Sequence, residues 1–363
     1  MQELLEQLIK IPSVSADKEA CRACLEHALK QFENTPVHIE RQENNGVVSA
    51  LVSTHTTYDL DVLWLIHLDV VPAPQEAFSP VLKENHLYGR GALDMKSSAA
   101  VAICLLKDLL GKVPFKMGIL FATDEEVGGK NGASFWQAEK KLTAKIVLDP
   151  DSSQPIETII YKTKKPLFVK LTATGKAAHG SRPWLGKDAN EALLQTLTAL
   201  RQKFPAYDMD SPNVPDEGWV NTLHVGTING GTASNIIADH ATAELDFRLI
   251  ETTSIEQALQ EIESVKPANV SVEILSCGNA VVLDQKNPIV SFYRQTVQDV
   301  IGHPAEFKTA FGATDGRYFA EKSIVLTHQA TGANAHQNDE WIDLNSLRQF
   351  YEIQKKFLLQ VKI

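Results

Sequence analysis

Residues 62–66 read VLWLI, a continuous apolar run rich in branched side chains, and residues 116–122 and 144–149 repeat the pattern. Such short runs predict buried strands. Between them the apolar spacing turns helical, over 17–32 (DKEACRACLEHALKQF) and 97–110 (SSAAVAICLLKDLL), with Ser97 or Ser98 a candidate N-terminal cap of the second helix. Strands and helices alternating over the first 150 residues predict an α/β layered fold with a mostly parallel sheet. The pattern changes after about residue 164. Residues 166–174 (PLFVKLTAT) alternate, 187–204 are helical, 220–228 and 241–250 alternate, and 254–264 are helical again. Strand, helix, strand, strand, helix, strand is the order of a ferredoxin-like α+β domain. Near residue 277 helices and short buried strands return, ending in a helix at 343–360. The expected architecture is one α/β domain, 1–165 and 277–363, interrupted by an inserted domain, 166–276.

Composition narrows the classes. The 363 residues include 45 acidic and 35 basic side chains, a net charge of −10. That opposes a nucleic-acid partner, whose phosphates need a basic surface, and equally an anionic membrane surface. VLWLI and MGILF (117–121) are too short to span a bilayer. The opening MQELLEQLIK is charged and amphipathic, unlike a secretory signal. Four cysteines imply no disulfide framework, so a reducing cytoplasm is the expected compartment.

Acidic and imidazole side chains gather where the predicted strands end. His67-Leu68-Asp69 follows VLWLI, Asp124-Glu125-Glu126 follows MGILFAT, and Asp149 follows AKIVL. In an open α/β sheet the carboxyl ends of the strands line the ligand crevice. Asp94 lies in a glycine-rich loop before the helix at 97–110, and His336 precedes the last helix. On an extended segment His67 and Asp69 point to one face, where Asp69 would bond the free ring nitrogen of His67 and fix its tautomer. Adjacent carboxylates diverge, so one of Glu125 and Glu126 would bind metal while the other faces substrate. Histidines and carboxylates without cysteine suit zinc or a similar divalent ion.

The segments HLDVVP (67–72), YGRGALDMKSS (88–98), ATDEEVGG (122–129) and AHQNDEW (335–341) resemble, in that order, motifs of the dinuclear zinc amidohydrolases and peptidases. That family includes succinyl-diaminopimelate desuccinylase, acetylornithine deacetylase, aminoacylase and carboxypeptidase G. The resemblance implies a zinc-peptidase catalytic domain carrying an inserted lid and dimerisation domain. It implies two zinc ions, with cobalt or manganese as alternatives, bridged by Asp94. His67 and Asp149 would complete one ion's ligands, Glu126 and His336 the other's. Glu125 would be the general base and Asp69 would orient His67. A cis peptide bond is expected at Asp94-Met95. In the lid, GKAAHGSRP (175–183) resembles the segment whose histidine serves the neighbouring subunit of a homodimer, which makes His179 an oxyanion donor. SNIIADH (234–240) and LDFRL (245–249) resemble the lid segments that meet a substrate carboxylate, which would make Asn235 and Arg248 its contacts, and GATDGRYF (312–319) resembles the substrate loop of desuccinylases and deacetylases, with Thr314 and Arg317 the candidates there.

Where many members carry Glu-Pro at the third ligand, this chain reads Leu148-Asp149-Pro150-Asp151. Aspartate there is commoner among aminopeptidases and dipeptidases, whereas the GATDGRYF loop fits deacylases of small N-acyl amino acids. Asp151 is the alternative ligand. Two patterns are decoys: Cys21-x-x-Cys24-x-x-His27 fits an ordinary helix face, and Gly89-x-Gly91 lacks the remainder of a dinucleotide fingerprint. The expected activity is hydrolysis of an amide bond in a small N-acyl amino acid or short peptide, deacetylase- or desuccinylase-like. A di- or tripeptidase of the same family, or a catalytically silent binding protein on the same fold, are the rivals.

Overall fold

The computed structural model describes residues 1–205, 207 and 215–363. The chain falls into two compact units, one of Met1–Lys162, Val281–Ala310 and Thr314–Ile363, the other of Thr163–Ala280 with Phe311–Ala313.

The first unit opens with helices α1 (Gln2–Ile9) and α2 (Lys18–Lys30). Asp17 caps α2 by accepting the Ala20 N–H, and Cys21 and Cys24 are core positions of that helix. A hairpin follows, β1 (His38–Asn44) and β2 (Val47–Ser53). Its two-residue turn, Asn45-Gly46, has positive φ at both positions, which Asn and Gly tolerate best. Next come β3 (Asp59–His67), the short strands β4 (Val81–Lys83) and β5 (His86–Tyr88), and α3 (Lys96–Leu109). Neither Ser97 nor Ser98 caps α3. Met95 holds the cap position without a side-chain bond, and both serines are buried, Ser98 Oγ donating to the Pro150 carbonyl. Then follow β6 (Met117–Ala122), α4 (Ala133–Ala138), β7 (Thr143–Leu148) and β8 (Thr158–Thr163).

The second unit contains β9 (Lys165–Thr174), α5 (Ala189–Lys203), β10 (Thr222–Gly230), β11 (His240–Leu249), α6 (Ile255–Val265) and β12 (Val270–Cys277). Its antiparallel sheet has the order β10-β11-β9-β12, the order of a ferredoxin-like fold. Alternation along β9 and β11 buries Leu167, Val169, Leu171, Leu245 and Phe247 with Leu193, Leu197 and Leu200 of α5. Ser254 and Gln257 form a reciprocal capping box at the start of α6.

The chain then returns to the first unit with α7 (Pro288–Ile301), β13 (Glu306–Ala310), β14 (Ile324–Leu326), β15 (Gly332–Ala333), β16 (Trp341–Asp343) and α8 (Leu344–Gln360). The main sheet has the order β1-β2-β6-β3-β7-β14. Strands β6, β3, β7 and β14 are mutually parallel, and the β1–β2 hairpin closes one edge antiparallel. Trp64 on β3 is fully buried and donates its indole N–H to Gln354 of α8, so the last helix is pinned to the sheet centre by a satisfied polar contact. A small sheet, β15-β16-β5-β4, draws its strands from the chain just before the Asp94 loop and from either side of His336. Among the described residues no helix is long and apolar enough to cross a membrane.

Candidate metal centre

His67 is the last residue of β3 and pairs with Ala122, the last of β6, while Trp64 pairs with Leu148, the last of β7. Register therefore delivers His67, the turn after Ala122 and the segment after Leu148 to one end of the sheet. The peptide bond Asp94-Met95 is cis. Asp94 takes an imidazole on each carboxylate oxygen: His67 Nε2 lies 2.9 Å from Oδ1, and His336 Nε2 lies 3.1 Å from Oδ2. His336 Nε2 is also 3.2 Å from Glu126 Oε2.

Two groups of ligand atoms, each within 4.8 Å of one another, share Asp94: His67–Asp94–Asp151 and Asp94–Glu126–His336. Each offers one imidazole and two carboxylates and no thiolate, a donor set that fits zinc or a comparable divalent cation. Glu125 belongs to neither group, although it lines the same small cavity as His67, Asp149, Asp151 and Asp315.

The structure brings Asp151, and not Asp149, into the first of these groups. Asp149 is turned into the scaffold, its Oδ2 accepting hydrogen bonds from Thr314 Oγ1 and Thr327 Oγ1. Gly316 packs so closely on it that an added Cβ would lie 2.4 Å from Oδ2. Two residues on, past Pro150, it is Asp151 that reaches His67 and Asp94. The Asp69 backbone carbonyl lies nearer the His67 ring than its carboxylate does. His67 Nδ1 lies 3.0 Å from the Asp69 backbone carbonyl and 3.6 Å from its carboxylate, so the main chain holds the Nδ1 proton and turns Nε2 towards Asp94. The buried carboxylate instead accepts the Glu125 and Glu126 N–H groups, both at 3.2 Å, and the Ser15 hydroxyl at 2.7 Å. It therefore shapes the turn carrying those two glutamates.

Thr314 and Arg317 likewise face inward. Thr314 holds Asp149. Arg317 is 6% exposed and donates to the Thr314 carbonyl and, beside Tyr318 Oη, to the Gly128 carbonyl, each at 2.7 Å. Its guanidinium stands 3.9 Å from Glu125 and 3.8 Å from Asp315. In the second unit, Gly180 N–H donates to the Asn235 carbonyl at 2.7 Å, which sets His179 beside Asn235 on neighbouring backbone. His179 is exposed, and its Nδ1 accepts the Ser181 N–H, so the proton sits on Nε2. Arg248 forks onto Asp246, Nε to Oδ1 at 2.8 Å and Nη2 to Oδ2 at 3.1 Å, and lies over the Phe168 ring.

The crowd of carboxylates sets the electrostatics. Burial pushes Glu125 well above the usual carboxyl range, and the negative charges of Asp151 and Asp315 push it further. Burial does the same to Asp151, with Asp94 adding to it. For Asp94 the burial is outweighed by hydrogen bonds from His336 and His67, which hold its carboxyl well below the ordinary range. Hydrogen bonds to Asp94 and Glu126 push His336 up to about 10. Those two carboxylates face the ring nitrogen that a divalent cation would take.

The profile of peptidase family M20/M25/M40 matches residues 63–360. A succinyl-diaminopimelate desuccinylase of Delftia acidovorans is 26% identical over 99% of this chain and 97% of its own. Among solved structures, an M20 family metallo-carboxypeptidase of Sulfolobus solfataricus superposes with a TM-score of 0.78 at 18% identity, covering 99% of this chain and 98% of its own. A tripeptidase of Staphylococcus aureus gives 0.76 at 18% identity with the same coverage.

Proposed function

The chain belongs to peptidase family M20/M25/M40 and is a metal-dependent hydrolase, and from that premise we propose that it cleaves the amide bond of a small N-acyl amino acid at a dinuclear zinc centre. The observation that carries this reading is the pair of ligand groups sharing Asp94, with Glu125 beside them and outside both. His67, Asp94 and Asp151 would hold one ion, and Asp94, Glu126 and His336 the other. When bound, such a pair lowers the pKa of a water and polarises the scissile carbonyl. Glu125 takes the water's proton and hands it to the leaving nitrogen. Burial and neighbouring carboxylates raise its proton affinity, as that exchange requires. Asp69 holds the Glu125-Glu126 turn in place through both backbone N–H groups. Arg317 steadies the same turn through the Gly128 carbonyl.

His179, with its proton on Nε2, is the proposed oxyanion donor, supplied to the partner site of a homodimer formed through the second unit. Asn235 and Arg248 are the proposed contacts to the substrate carboxylate, Arg248 exchanging Asp246 for it. The four free thiols, Cys21, Cys24, Cys104 and Cys277, support a reducing cytoplasm.

Full-length likeness to a desuccinylase supports a deacylase. The aspartate at the third-ligand position favours the second reading, a di- or tripeptidase. Amine release from N-succinyl-diaminopimelate, acetylornithine and a panel of di- and tripeptides separates the two. Turnover confined to the peptides would replace the first reading with the second, and no turnover with any amide would favour a silent binding protein.

A further inference from the structure

Glu340 is 1% exposed, directly precedes β16, and has no place in the chemistry above. Its carboxylate faces the backbone of residues 90–94, the loop that ends in Asp94. Oε1 accepts the Leu93 N–H at 2.8 Å and the Asp94 N–H at 3.0 Å. Oε2 accepts the Gly91 N–H at 3.0 Å and the Arg90 guanidinium at 2.5 Å. A carboxylate has about four acceptor positions, and here every one meets a donor. Gly89 N–H also donates to the Glu340 carbonyl at 3.0 Å, and β16 pairs with β5 as Trp341↔Tyr88 and Ile342↔Leu87. Strand register therefore fixes where this side chain sits.

The loop it grips contributes no regular backbone pairing of its own. It passes Gly91 at φ 82° and the cis bond at Asp94-Met95. Four residues before Glu340, on the same return loop, His336 approaches Asp94 Oδ2 at 3.1 Å. One short segment thus presents a ligand to the Asp94 carboxylate from one side and clamps the Asp94 backbone from the other.

We propose that Glu340 is a positioning residue for the metal centre: it templates the 90–94 loop so that Asp94 presents one oxygen to each ion, and couples that orientation to His336. The inference rests on the metal-centre reading. Arg90 is the counter-charge that keeps the carboxylate in the interior. A glutamine at this position is the same size but must turn an NH₂ group toward N–H donors on one side, because its amide has a single acceptor oxygen.

The experiment strips full-length enzyme of metal and titrates Zn²⁺ in competition with a chromophoric chelator, comparing wild type, Glu340→Gln and Arg90→Lys. Glu340→Gln is expected to bind Zn²⁺ about 10–100-fold more weakly, and at saturating Zn²⁺ to lose kcat while keeping KM. Arg90→Lys disturbs the same buried ion pair but leaves the Leu93 and Asp94 N–H bonds to Oε1. It is expected to lower the melting temperature of the metal-free protein while keeping near-wild-type Zn²⁺ affinity. Glu340→Asp keeps the charge with a shorter reach, and is expected to bind Zn²⁺ between the two. It carries the comparison where Glu340→Gln does not fold. Wild-type Zn²⁺ affinity in Glu340→Gln, or affinity falling in step with melting temperature in both Glu340→Gln and Arg90→Lys, overturns the inference. So does a Glu340 series that never folds while Arg90→Lys does. Wild-type protein that takes up no divalent ion would overturn the metal-centre reading as well, which none of the other outcomes does.

Discussion

At the scale of single residues, two aspartates two positions apart turn to different surroundings. Asp149 is buttressed by Thr314 and Thr327, whereas Asp151 joins His67 and Asp94. Asp151→Asn is therefore expected to bind one metal equivalent about 10–100-fold more weakly. Asp149→Asn should retain its metal and lose stability instead; metal analysis beside melting curves distinguishes them, and the reverse pattern would restore Asp149 as the ligand. His67, Asp94, Glu126 and His336 were legible from sequence because each follows a strand or sits in a distinctive loop. For the remaining carboxylate the sequence offers Asp149 with Asp151 as its alternative, since spacing does not say which of two carboxylates flanking a proline turns inward. The buried neutral His328 makes a separate prediction. Its Nε2 donates to the Ile156 carbonyl at 2.5 Å and its Nδ1 accepts from Tyr293 Oη at 2.9 Å. Burial lowers its pKa to about 4 from 6.5. Below pH 6.5 the unfolded chain gains a proton that the folded chain refuses. This contribution is thus complete above pH 6.5 and is lost as pH falls towards 4, by about 3 kcal/mol. The stability curve of His328→Gln should lack that acid slope relative to wild type; parallel curves would refute it.

At the scale of elements, long apolar runs were easy to read and short or polar ones were not. Strands β3 and β6 are buried almost throughout and β7 over its last three residues, and their sequences say so. The β1 strand, HIERQEN, is an exposed edge without alternation, although the Asn45-Gly46 turn signal was present. The small sheet escaped because strands of two or three residues have no period to detect. It nevertheless places the Asp94 loop against Glu340. Close approach between loops is equally invisible in sequence. Gly129 has φ 61°, and a Cβ there would lie 2.0 Å from Asp315 Oδ1. Gly129→Ala should cost about 1–3 kcal/mol and displace the turn that carries Glu125, lowering kcat. Unchanged melting temperature and turnover would show that the turn has room to spare.

At the scale of the whole molecule, the chain concentrates negative charge at one point of an already acidic protein, and cations at that point would relieve it. The second unit adds groups of a different kind, an exposed His179 and the Arg248–Asp246 pair. If His179 serves a partner subunit, mixing His179→Ala with Glu125→Gln under subunit exchange should restore part of the activity, because one site of the heterodimer regains both groups. A mass-verified heterodimer that stays inactive would return His179 to its own chain. The central claim is that Glu125 moves protons beside the metals and does not hold them. Metal content and turnover measured on one preparation of Glu125→Gln test it most directly. About two metal equivalents retained, with turnover reduced by about 10²–10⁴-fold, is the predicted result. Metal lost together with activity, or turnover equal to wild type, would contradict it.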